Sequence, residues 1–209
     1  MAMKTAADLV DNFLGLRGLL IVVSGPSAVG KDTILDLVLA DRIGLVHEVV
    51  KCVTATTRDA RPGEVDGIDY HFLSVVEFQA KAKHDGFLEY ANVFGNWYGT
   101  PVDWVAAKRT SGVDVILKID VQGALAVKAK VPDAVLIFFC PPSLDELERR
   151  LRARNTENDE QIARRLLDAS NELAQMSHYN YSVINNEIEQ AADDLRAILR
   201  AEHCRIQSG

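Results

Sequence analysis

The chain contains the stretch Ser24-Gly25-Pro26-Ser27-Ala28-Val29-Gly30-Lys31-Asp32-Thr33, in which two glycines flank four residues and a lysine follows. That spacing suits a loop that wraps a polyphosphate. Glycines let the backbone approach closely, successive N–H groups turn inward, and a helix starting at the lysine adds its positive end. Lys31 is placed to reach the β- and γ-phosphates of a nucleotide. The candidate ATP-binding residues are therefore Gly25, Pro26, Ser27, Ala28, Val29, Gly30, Lys31, Asp32 and Thr33. One position departs from the pattern. A serine or threonine hydroxyl normally follows the lysine and holds Mg2+, whereas here Asp32 stands there with Thr33 next to it. Asp32 reads equally as a favourable helix-start acid or as a hard oxygen ligand for Mg2+, and Thr33 is a third route to the metal.

Two further groups of side chains carry charge in useful patterns. Arg58 and Arg61 lie three apart in a Gly- and Asp-rich segment with Tyr70 and Tyr98 further along, offering guanidinium forks and phenolic donors to a phosphate dianion. Arg149, Arg150, Arg152 and Arg154 crowd one stretch, and Arg164 and Arg165 follow on the next helical pattern. Arg150 and Arg154 share a helix face. Phosphoryl transfer needs its developing charge neutralised, and arginines on a closing element do that while excluding water.

The elements that must hold these groups are legible in the hydrophobic pattern. Apolar runs at Leu19–Val23, Val113–Ile119, Ala134–Cys140 and Tyr181–Ile184, with a shorter one at Val49–Val53, read as buried strands. Amphipathic patterns at Val29–Ala40, Ser143–Arg154 and Ile188–Leu199 read as helices between them. Alternating strands and helices imply right-handed crossovers and a mostly parallel sheet. Two segments break the rhythm. Thr54 to about Gly99, with short strands at Tyr70–Leu73 and Phe87–Val93, reads as a small, partly antiparallel substrate unit that includes Trp97 and Trp104 as packing residues. Pro141 to about Asn171 reads as a charged helical cap.

From Thr54 the chain runs Ala55-Thr56-Thr57-Arg58-Asp59-Ala60-Arg61-Pro62-Gly63-Glu64-Val65-Asp66-Gly67-Ile68-Asp69-Tyr70-His71-Phe72. Together with the phosphate loop this segment resembles the guanylate kinase family. The likeness continues through Phe87-Leu88-Glu89-Tyr90, Gly95-Asn96-Trp97-Tyr98-Gly99-Thr100, Ile119-Asp120-Val121-Gln122-Gly123-Ala124, Pro141-Pro142-Ser143 and Ile184-Asn185-Asn186, in order from Leu19 to Leu199. The resemblance implies an α/β, three-layer P-loop fold with a mostly parallel five-stranded sheet, a small GMP-binding insertion and a helical lid. It places the core at 1–53, 101–141 and 172–209, the insertion at 54–100 and the lid at 142–171. It implies transfer of the γ-phosphoryl group of ATP to GMP or dGMP with Mg2+. It also implies that Glu89 reads the guanine donors, helped by Thr54, Thr100 and Asp120, while Arg58, Arg61, Tyr70 and Tyr98 hold the acceptor phosphate. Lys31, Arg150, Arg154 and Arg165 then face the transferring phosphates, and Asn185 belongs to the ATP site. Lys118 stands where the family commonly has a carboxylate near the metal. Since Asp32 departs with the opposite sign, the two are expected to lie close enough to interact. Asn155 stands where a glycine is common.

Composition narrows the rest. A formal charge of −7 with 48% hydrophobic and 25% charged residues is ordinary for a globular chain and argues against a general nucleic-acid binder. Cys52, Cys140 and Cys204 are widely spaced, with Cys52 and Cys140 in apolar runs as expected of buried thiols. The longest apolar run is too short to cross a bilayer, so a cytoplasmic protein without membrane or nucleic-acid partners is expected. The assembly state stays open, a homo-oligomer included. Two rivals remain: another P-loop kinase would alter Glu89, Thr54 and the Thr56–Tyr70 segment, and a catalytically silent scaffold domain would degrade the loop and the lid arginines.

Overall fold

The computed structural model describes residues 17–41, 44–45, 47–153 and 158–206. Five strands form a parallel sheet: β1 (Leu20–Ser24), β2 (Val49–Lys51), β7 (Asp114–Lys118), β8 (Val135–Cys140) and β9 (Tyr181–Ile184), in the order β2-β7-β1-β8-β9. In β1 every residue is buried, because helices cover both faces and leave no side for polar alternation. Alternate residues serve opposite layers. Leu19, Ile21 and Val23 pack with Ile137, Phe139 and Leu195, beneath α1 (Lys31–Ala40) and α7 (Ile188–His203). Leu20 and Val22 pack with Leu117, Leu136, Val105 and Val127, beneath α3 (Val102–Thr110) and α4 (Val121–Lys130).

A second, four-stranded sheet runs β4-β3-β6-β5: β3 (Ala55–Thr56), β4 (His71–Phe72), β5 (Phe87–Val93) and β6 (Asn96–Pro101). β3 pairs parallel with β4 and antiparallel with β6, and β5 pairs antiparallel with β6. The small sheet has its own core, Ala55, Phe78 and Phe87 with Trp97 packed against it. Phe78 comes from α2 (Val75–Lys83), which starts at a capping box between Ser74 and Glu77. Trp104 lies on α3, where it packs against the core of the parallel sheet and also lines a pocket with Ala55, His71 and Leu73 of the small unit. In α2, α3 and α4 exposed apolar residues such as Val76, Ala106 and Ala126 stand beside the buried Phe78, Val105 and Val127, so no clean apolar stripe marks these helices in the sequence.

The charged segment folds as two helices, α5 (Leu144–Ala153) and α6 (Asp159–Leu173), which share a cluster of Leu147, Leu151, Ile162 and Ala169. Ala28 of the phosphate loop packs against that cluster. Cys52 and Cys140 are buried free thiols, while Cys204 is exposed. No described helix is long and apolar enough to cross a membrane.

Candidate active site

The phosphate loop links β1 to α1, and its geometry depends on glycine at both ends. Gly25 has φ +138°, and a Cβ there would lie 2.2 Å from the Phe139 carbonyl oxygen. Gly30 has φ +96° at the N-cap of α1, and a Cβ there would meet the Asn185 amide nitrogen at 2.4 Å. Neither position can carry a side chain without displacing backbone or a buried amide. Ala28 also adopts positive φ, at 65°, a conformation an alanine takes only where its surroundings impose it. Lys31 folds back over the loop, its Nζ donating to the carbonyl oxygens of Gly25 and, at 2.8 Å, Pro26.

Asn185 supports the loop from the end of β9. It is buried, and its Nδ2 donates to the Val29 carbonyl at 2.7 Å. Its Oδ1 is buried with no hydrogen-bond partner among the described residues. Arg150 donates to the Asn185 carbonyl at 3.0 Å and to Glu146 at 2.8 Å, so it stands at the loop in a pair with an acid of its own helix. Arg165 reaches the loop directly, donating to Ser27 Oγ at 2.8 Å. Arg149 pairs with Glu146, and Arg152 pairs with Glu148 and Asp159. Two arginines shared with Glu146 hold its carboxyl down at about 2. Arg154 and Asn155 lie outside the described residues.

The second half of the site is a cavity of about 270 Å³ between the two sheets, lined by Thr54, Tyr70, Glu89, Tyr98, Thr100 and Asp120. These are six of the eight residues expected at an acceptor. Glu89 Oε1 accepts from Thr100 Oγ1 at 2.6 Å. Burial raises the Glu89 pKa, with Thr100 opposing through its hydrogen bond and Asp120 adding to the rise through its charge. Asp120 caps α4, accepting from Gly123 N at 2.7 Å. The expected Arg58 and Arg61 do not line the cavity. Arg58 sits at its rim, its guanidinium 5.3 Å from the Tyr70 ring centre and doubly bonded to Glu64 at 2.8 and 2.9 Å. Arg61 is exposed beside it, its backbone N–H donating to Glu64.

Some lining residues had escaped notice: Lys51, Cys52 and Asp69. Lys51 and Cys52 end or follow β2, and strand ends of a parallel sheet converge on the ligand crevice, so position in the strand was the available signal. Burial pushes the Cys52 thiol up to about 12, with the Glu89 charge adding to it, which leaves it inert.

The two departures meet. Lys118 donates to Asp32 Oδ1. Burial would raise the Asp32 pKa, but the Lys118 hydrogen bond and the charges of Lys118, Lys51 and Lys31 outweigh it and hold the carboxyl below its usual value. Thr33 is exposed in the first turn of α1. On the other side, burial raises the Glu172 pKa, opposed by the Lys31 charge. This places a half-buried acid of α6 within the field of the phosphate-loop lysine.

Comparison with known proteins points to one family. The sequence pattern described as guanylate kinase matches residues 17–202. The chain is 48% identical over 190 residues to a guanylate kinase of Streptococcus agalactiae, covering 91% of this chain and 90% of that protein. A guanylate kinase of Streptococcus thermophilus is also 48% identical, over 191 residues, with the same coverage. Among solved structures, a crystal structure of guanylate kinase from Anaplasma phagocytophilum superposes with a TM-score of 0.67 at 34% identity, covering 93% of this chain and 90% of that one. Loop, cavity and sequence agree along nearly the whole chain, which belongs to the guanylate kinase family.

Proposed function

We propose that this chain is an ATP:GMP phosphotransferase that makes ADP and GDP, with dGMP as a second acceptor. The observation that carries the reading is Glu89, a half-buried carboxylate anchored by Thr100 in a cavity that also contains Lys118, the partner of the phosphate-loop residue Asp32. Guanine presents N1–H and N2–H₂ donors on one edge, and a carboxylate accepts both; adenine offers no such pair. Asp120 and Thr54 complete the base contacts. Arg58, Arg61, Tyr70 and Tyr98 take the acceptor phosphate, Arg58 exchanging Glu64 for it.

On the donor side Lys31 leaves the Gly25 and Pro26 carbonyls for the β- and γ-phosphates. Asn185, whose Nδ2 donates to the Val29 carbonyl, holds the loop that takes the donor phosphates. Helices α5 and α6 act as the lid over the core, delivering Arg150 and Arg165. An oxygen of the GMP phosphate attacks the γ-phosphorus, the bond from that phosphorus to the β,γ-bridging oxygen breaks, and the electron pair stays on ADP. The nucleophile is already anionic, so positioning and charge stabilisation carry the catalysis.

Mg2+ accompanies ATP in this reading. A single exposed carboxylate with phosphate oxygens is a donor set that suits an ion which keeps several waters. Asp32 offers Oδ2 while Lys118 holds Oδ1. Held by Asp32, the ion would supply charge neutralisation at the transferring phosphates. The deciding experiment is a coupled ADP-release assay with ATP, Mg2+ and a panel of monophosphates. Turnover with GMP and dGMP and at least about 10⁴-fold poorer kcat/KM with AMP is expected. Comparable rates with AMP or a sugar phosphate overturn the assignment.

A further inference from the structure

We propose that Lys118 is a catalytic cation of the transfer step, standing between the donor and acceptor phosphates on a position set by Asp32. This rests on the phosphotransferase reading above. The placement comes from three independent relations. Lys118 ends β7 in register with Val23 of β1, two residues before Gly25, so its backbone lies at the edge of the sheet where the phosphate loop begins. Its side chain lines the acceptor cavity together with Glu89, Tyr98 and Asp120. Its ammonium bonds to Asp32, the residue after Lys31. One side chain therefore spans the only distance that matters in an in-line transfer, from the loop that holds the donor to the pocket that holds the acceptor.

The pair is poorly suited to a purely structural role. The Lys118 and Asp32 side chains are 30% and 66% exposed, and an ion pair so open to water contributes little to folding. Lys31 and Lys51 also act on Asp32, while Glu172 stands in the field of Lys31 and Glu89 and Asp120 line the same cavity as Lys118. The junction is therefore crowded with charges of both signs, and Lys118 is the cation that reaches both halves. Transfer between two phosphates brings two polyanions into contact there, and a fixed cation offsets that repulsion where it peaks. During the step the acceptor oxygen bonds to the γ-phosphorus and the bond to the β,γ-bridging oxygen breaks, leaving its electron pair on ADP. Lys118 keeps its proton throughout and donates hydrogen bonds to the non-bridging oxygens. Asp32 holds the ammonium in place before the substrates arrive, so little reorganisation is left for the reaction.

A cation placed between two ligands should matter most to a ligand that spans both sites. The test is calorimetric titration, with magnesium chelated, of ATP, GMP and a bisubstrate probe in which adenosine and guanosine are joined 5′ to 5′ by a pentaphosphate. Lys118→Met is expected to weaken the probe about tenfold or more while changing ATP and GMP each by less than about threefold, and to lower kcat about 100-fold. Lys118→Arg, which keeps the charge, should retain most of the probe affinity. Asp32→Asn should weaken the probe less than Lys118→Met does. The proposal is overturned if Lys118→Met leaves the probe unchanged or weakens all three ligands alike. It is equally overturned if Lys118→Arg is as weak as Lys118→Met. A parent protein that neither binds the probe nor phosphorylates GMP refutes the phosphotransferase reading itself and takes this proposal with it.

Discussion

Thr100 Oγ1 donates to Glu89 Oε1 at 2.6 Å across the paired strands β5 and β6. The hydroxyl is buried and satisfies one carboxylate oxygen, leaving the other for a ligand. Burial nevertheless dominates and raises the Glu89 pKa. The folded chain thus binds a proton here more readily than the unfolded chain does. Stability contributed by this group is present below the unfolded pKa and is lost as pH rises through the raised folded value. Recognition has the opposite sign, since guanine needs the ionised form. GMP affinity should therefore fall as pH drops through the Glu89 titration, and Glu89→Gln should flatten that limb. The same variant should lose about 10³-fold or more in kcat/KM for GMP while melting no lower than the parent at neutral pH. Calorimetric GMP titrations from pH 4 to 8, with melting curves at each pH, check both halves. A Glu89→Gln protein that keeps parental GMP affinity contradicts the assignment.

The arginines divide into two kinetic groups. Arg165 bonds to Ser27 of the phosphate loop and Arg150 to the carbonyl of Asn185, which supports that loop, whereas Arg58 sits over Tyr70 at the rim of the cavity. Lys31→Ala, Arg150→Ala and Arg165→Ala should lower kcat by about 10²-fold or more with small changes in GMP KM. Arg58→Ala should mainly raise GMP KM. Steady-state kinetics with each substrate varied in turn decides this, and the reverse split would mean that the donor and acceptor halves are exchanged.

Gly30 tests whether the loop is shaped by its neighbour. Its φ is +96°, and a Cβ would come within 2.4 Å of Asn185 Nδ2. Gly30→Ala should cost about 1–3 kcal/mol in strain and displace Asn185, weakening ATP binding more than GMP binding. Gly63, also at positive φ but with nothing within 4 Å of a Cβ, should pay only the backbone cost. A Gly30→Ala protein with parental ATP affinity would show that the loop readily relaxes around the new methyl group.

The phosphate-shaped loop and the parallel sheet are legible in the sequence, because both are written in short-range terms. Gly25, Gly30 and Lys31 lie within one loop, and the runs that became β1, β7 and β8 are apolar because both of their faces are buried. The resemblance to guanylate kinases, carried by the segment from Thr54 to Phe72, named the family from the same residues. Period alone does not disclose α2, α3 and α4, because exposed apolar residues such as Val76, Ala106 and Ala126 blur the buried stripe. Tertiary structure alone decided how the pieces combine. Glu89 and Thr100 become partners only through the β5–β6 register, and Arg165 meets Ser27 only because α6 packs onto Ala28. Asp32 and Lys118 lie 86 positions apart. Their opposite departures raised the expectation of contact, but the parallel pairing of β1 with β7 is what brings them together. Charge and type are properties of single residues, whereas contact between distant ones depends on how strands and helices pack.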